Sequence, residues 1–141
     1  MTAVNRLIDE HRHCDDLFAA TEAAVQAGRV GEAKEAFAGF RTQMEAHFRL
    51  EEERLFPAFE QATGIHGGPT QVMRSEHADM RALMDEMEAS LSGTGLATFP
   101  GLAETLLILM QQHNMKEENI LYPMCQAHVP DMGALLAGEP A

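Results

Sequence analysis

Two stretches of this chain hold most of the chemistry it can perform. "HFRLEEERLFP" runs from His47 to Pro57, and "HNMKEENILYP" runs from His113 to Pro123. In each, a histidine is followed four residues later by a glutamate, Glu51 or Glu117, and then by leucine and proline at matching places. On an α-helix, residues i and i+4 lie on one face a turn apart. An imidazole nitrogen beside a carboxylate oxygen suits iron, manganese or zinc, and no thiolate pair stands near to favour a softer metal.

One such pair means little. With 7 His and 22 acidic residues in the chain, roughly one His-x-x-x-Glu/Asp pair arises by chance, and His11–Asp15 is a third instance. The shared offset of 66 residues carries the weight. It matches Met44 with Met110, Glu52 with Glu118, Leu55 with Leu121 and Pro57 with Pro123, and it replaces Phe56 by Tyr122. It also matches Glu10 with Glu76, His11 with His77 and Leu17 with Leu83. The sequence is a helix pair written twice, which predicts an internal pseudo-twofold axis.

The elements that must position these residues read as four helices, over about 3–27, 31–63, 69–91 and 99–128, with a short C-terminal tail. Glycine and proline punctuate the gaps at Gly28 with Gly31, Gly64 to Pro69, and Gly93 with Gly95. No sustained period-two alternation marks a strand. The expected fold is all-α, an up-down-up-down four-helix bundle in one domain over 1–141. The turn residues fall midway between successive members of His11, His47, His77 and His113, so four histidines from four helices can meet at one level. Two carboxylates related by a twofold axis can each reach two metals. Each metal would hold two histidines, share two glutamates and keep positions for a bridging oxygen and an outside ligand. Pro57 and Pro123 should kink or interrupt their helices.

Composition narrows the function. A formal net charge of −12 argues against nucleic-acid or anionic-membrane partners, because both are polyanions. No run of 18 apolar residues spans a membrane. The start, "MTAVNRLIDEHRH", becomes charged too soon for a signal peptide, so a cytoplasmic protein is expected. Cys14 and Cys125 make no disulfide framework. A single Glu-x-x-His, Glu10 to His13, has the ferritin-like spacing, but its copy fails at Asp79 and that fold needs the motif on two helices.

The stretches "DEHRHCDDLF", "MEAHFRLEEERLFP", "SEHADMRALM" and "MQQHNMKEENILYP" together resemble the haemerythrin family, in its broad form the HHE cation-binding domain. The resemblance implies a four-helix bundle holding two iron ions with a bridging oxo or hydroxo group. It implies His11, His47, Glu51, His77, His113 and Glu117 as the metal ligands. The implied ligand is a small molecule such as oxygen, nitric oxide or peroxide, bound for sensing, storage or delivery. The alternative is a di-iron enzyme that repairs iron–sulphur clusters or decomposes peroxide. A purely structural metal site would be closed, whereas this ligand count leaves positions open. The family's oxygen carriers have a fifth histidine one turn after the third-helix ligand. Arg81 stands there, and the four-His, two-Glu set resembles instead di-iron repair proteins linked to nitrosative damage. Arg81, on the face of His77, is expected to pair with Asp15 or to snorkel outward. Glu52 and Glu118 are expected behind the ligands or in solvent. His13, His66 and His128 are expected on the surface. Tyr122 is expected in the core with its hydroxyl at a polar contact, and Met44 and Met110 as walls of the site.

Overall fold

The computed structural model describes residues 2–93 and 95–138, so the ends of the expected 1–141 domain lie outside the described residues. The described residues are helical throughout apart from turns. Helix α1 covers Ala3–Gln26 and α2 covers Val30–Leu50. After a π turn at Glu51–Leu55 comes α3, Phe56–Thr63. Helix α4 covers Pro69–Ser92, and a short 3₁₀ turn at Leu96–Thr98 leads into α5, Phe99–Lys116. A second π turn at Glu117–Leu121 precedes α6, Tyr122–His128, and the tail forms α7, Met132–Ala137. No described helix is long and apolar enough to cross a membrane.

Local chemistry sets these ends. The Thr2 side chain accepts a hydrogen bond from the Asn5 amide and caps α1. Gly64, at φ 74°, closes α3 in a left-handed conformation that costs glycine least. Pro69 and Pro100 sit in the first turns of α4 and α5, where their missing N–H is not needed. Pro57 and Pro123 interrupt their α-helices in one particular way. Each is preceded by a π turn, in which the Phe56 amide donates to the Glu51 carbonyl and the Tyr122 amide to the Glu117 carbonyl. Both donors reach back five residues. The wider turn gives room one turn before the proline ring, where a regular α-helix would clash.

Helix α1 packs on α2 and α5, and α4 packs on the same two helices. The apolar interior is in two parts. One cluster includes Phe18, Phe40, Phe48, Met84, Leu106 and Met110. The other includes Leu7, Leu55, Phe56, Phe59, Leu121 and Tyr122. Four histidines and two glutamates, all buried, belong to neither cluster.

Candidate metal centre

The π turns that absorb the prolines also carry the two glutamates. Glu51 and Glu117 are 0% exposed, as is His77, and His11, His47 and His113 are at most 5% exposed. These are the six residues expected from sequence, and the structure brings all of them together. One donor atom from each of His11, His47, Glu51 and Glu117 lies within 4.8 Å of the others, and the same holds for Glu51, His77, His113 and Glu117. Both glutamates belong to both groups.

Each imidazole turns Nε2 inward and gives Nδ1 to an outer carboxylate. His11 Nδ1 lies 2.8 Å from Glu118, His47 Nδ1 2.7 Å from Glu10, His77 Nδ1 2.7 Å from Glu52, and His113 Nδ1 2.8 Å from Glu76. An Nδ1–H donated to a carboxylate fixes the tautomer and leaves the Nε2 lone pair for a cation. Glu52 and Glu118 therefore lie behind the histidines. Glu10 and Glu76, to which sequence reasoning gave no role, do the same work from α1 and α4. Their copied places directly before His11 and His77 were a signal that could have been used.

In the first group His11 Nε2 is 3.1 Å from His47 Nε2 and 3.0 Å from Glu117 Oε1, and His47 Nε2 is 3.5 Å from Glu51 Oε2. Tyr122 joins this group. Its hydroxyl donates to Glu51 Oε2 at 2.7 Å, and the oxygen lies 3.0 Å from Glu117 Oε1. The core position with a polar contact expected for Tyr122 is correct, but the contact is the site itself.

In the second group His77 Nε2 is 3.1 Å from Glu51 Oε1 and His113 Nε2 is 3.3 Å from Glu117 Oε1. These approaches lack hydrogen-bond alignment. Glu51 Oε1, His77 Nε2, His113 Nε2 and Glu117 Oε2 are buried and without hydrogen-bond partners. Buried polar atoms are nearly always paired, and donors that converge without bonding to one another are arranged as cation ligands are. The donor set fits a pair of metal ions.

The electrostatics agree. Burial disfavours the His47 cation, but Glu51 and Glu10 outweigh it and raise its pKa well above the usual value. Burial likewise opposes charge on His113, and Glu117 outweighs it, raising the pKa to about 9. The carboxylates call for positive charge, which protons supply when the protein's own groups are alone and which bound cations would displace. Cys14 and Cys125 are free and buried, and burial pushes both thiols up to about 12.

Arg81 departs from the expected pairing. Asp15 is exposed, and Arg81 bonds instead to Glu45 at 2.7 Å and to both oxygens of Glu52 at 2.8 and 3.0 Å. Its guanidinium passes over the Phe48 ring, 5.1 Å from the centroid, to one carboxylate of α2 and one of the π turn that follows it. The long side chain finds partners there without entering the site. Burial would raise the Glu52 carboxyl, but hydrogen bonds from Arg81 and His77 outweigh it and hold the pKa below the usual range. His13, His66 and His128 are exposed, as expected. Met44 and Met110 are buried in the first apolar cluster, beside the helical turns of His47 and His113.

A helical fold with two groups of converging imidazole and carboxylate donors in its interior defines the class as a helical protein with a candidate metal centre. A sequence model of the Hemerythrin HHE cation binding domain matches residues 2–125. The chain belongs to that family. It is 34% identical over 93 residues to the iron-sulfur cluster repair protein YtfE of Edwardsiella ictaluri, a match covering 59% of this chain and 42% of that protein. It is 30% identical over 95 residues to the protein of the same name from Citrobacter koseri, covering 60% and 43%. The chain thus matches about two-fifths of the length of these curated relatives. No solved structure matches.

Proposed function

We propose that the chain is a non-haem di-iron protein that binds a small ligand such as oxygen or nitric oxide. In this reading His11 and His47 hold one iron, His77 and His113 hold the other, and Glu51 and Glu117 reach both. The helix-pair repeat would close up-down-up-down around a pseudo-twofold axis, with an oxo or hydroxo group between the irons. The observation that carries the reading is the set of four buried, unpartnered donor atoms on Glu51, His77, His113 and Glu117. Such a pair of irons would supply exchangeable coordination positions and redox equivalents to a small ligand.

The chain's own residues do the rest. The outer glutamates hold the imidazole tautomers. The Phe48 ring stacks on His77 at 3.9 Å and 16°, fixing its plane and excluding water from that side. The apolar clusters on the flanking helices keep the polar interior apart from solvent.

Aerobic and anaerobic optical spectra of the iron-loaded protein, with and without nitric oxide and peroxide, test the reading. A reversible adduct with oxygen or nitric oxide supports it. Iron-loaded protein whose spectrum responds to none of the three ligands contradicts it. The names of the relatives favour a second reading, repair of iron–sulphur clusters. Recovery of activity in a nitric-oxide-damaged iron–sulphur enzyme, only when the iron-loaded chain is added, would select that reading.

A further inference from the structure

Tyr122 stands among the donors of one group, and its counterpart in the repeat, Phe56, has no donor atom. Its oxygen lies 2.7 Å from Glu51 Oε2, 3.0 Å from Glu117 Oε1, 3.1 Å from His11 Nε2 and 3.2 Å from His47 Nε2. Donors about 2.0–2.2 Å from a shared ion and at right angles to each other stand about 2.8–3.1 Å apart. One oxygen at nearly that spacing from four donors has the place of the apex of a pyramid. A phenol can donate one hydrogen bond and accept others from imidazole Nε2–H groups, so these contacts serve while protons occupy the centre, and the same spacing serves a cation that displaces those protons. The imidazoles already have Nδ1 directed to Glu118 and Glu10.

We propose that Tyr122 is a further protein ligand, bound through its phenolate oxygen to the metal of the His11–His47 position, so that the two metals carry unequal coordination. This rests on the di-iron reading above. Ligation breaks the phenolic O–H bond and releases the proton to solvent. An oxygen lone pair forms the bond to the metal, and no electron changes hands. Packing holds the ring in this position, where it is 0% exposed and stacks on His11 at 5.6 Å and 24°. Phe56 stacks on His77 almost identically, at 5.7 Å and 27°, but brings no oxygen. The outside ligand is therefore directed to the His77–His113 position, which has fewer protein donors.

Tyr122 is the single tyrosine in the chain, so any tyrosinate signal is assigned without ambiguity. Wild-type and Tyr122→Phe proteins are loaded with iron, oxidised in air, assayed for iron and examined by resonance Raman spectroscopy with visible excitation. The expected result is two irons per wild-type chain, with phenolate ring modes enhanced through phenolate-to-iron charge transfer and lost in Tyr122→Phe. Ring-deuterated tyrosine in the wild-type protein should shift those modes, which keeps the test decisive if the variant does not fold. Two irons without phenolate enhancement would overturn the Tyr122 ligand and leave the di-iron reading in place. Fewer than two irons in the wild-type protein would overturn both.

Discussion

The His11–His47 and His77–His113 groups are alike in their inward donors and unlike in what covers them. Histidine matches histidine at the 66-residue offset, the two glutamates are shared, and the outer carboxylates repeat as Glu10 with Glu76 and Glu52 with Glu118. Around this common set the copies diverge. Tyr122 reaches into the first group, whereas the second is covered by Phe56 and by Phe48, whose repeat partner is Asn114. Arg81 grips Glu52, whereas Glu118 has no Lys or Arg partner among the described residues. The positions matched at this offset keep the inward histidines and glutamates and the outer carboxylates, whereas the residues around them differ. Two positions with similar ligands can thereby differ in reactivity.

The shared glutamates give the severest test. Glu51→Ala and Glu117→Ala should each lower iron content sharply and affect both positions, because each carboxylate belongs to both groups. Removing one partner of a buried charge network should also destabilise the fold by about 3–5 kcal/mol. Elemental analysis and thermal melts check this. A variant that cleanly retains one iron would show that the groups are independent.

Phe56→Tyr sharpens the comparison. Given the matched stacking of Phe56 and Tyr122 on their histidines, the new hydroxyl should enter the second group and make the halves alike. Azide affinity of the iron-loaded protein, followed by optical titration, should fall about tenfold or more, equivalent to about 1.4 kcal/mol. Unchanged affinity would place the outside ligand elsewhere.

The outer carboxylates should matter less. Loss of such a partner typically weakens metal binding about 10–100-fold. Glu52→Gln should lie toward the upper end because it unseats His77 and leaves Arg81 with Glu45 alone, and Glu118→Gln toward the lower end. Competition with a chelator measures both, and the reverse order would break the proposed asymmetry. Arg81→His should change least. Its guanidinium lies outside the site, so the iron spectrum should keep its shape, and metal affinity should shift only a few-fold, well short of losing an outer carboxylate. A spectrum altered by a fifth imidazole would contradict the observed course of that side chain.

The helices and the six converging residues were legible because a copied spacing is read along the chain, and i, i+4 geometry translates it directly into a shared face. The outer partners were less so. Glu10 bonds His47 and Glu76 bonds His113, each across to another helix, and a rule about faces of one helix does not supply that pairing. For Arg81 the sequence left two courses open, pairing with Asp15 or snorkelling outward, and the structure takes the second. Spacing places its Cα on the face of His77, but its long side chain crosses Phe48 to reach Glu45 of α2 and Glu52 of the first π turn. Tyr122 follows Glu117 by five residues, which in a regular α-helix turns it away. The π turn brings the two within 3.0 Å. The repeated proline showed that the helix changes there, but α periodicity gave no means of following the change.

Iron-edge anomalous diffraction from crystals of the loaded protein tests the central claim most directly. Two peaks per chain are predicted, one within bonding distance of His11 and His47, the other of His77 and His113, with Glu51 and Glu117 contacting both. A single peak, or iron bound away from those two glutamates, would contradict it.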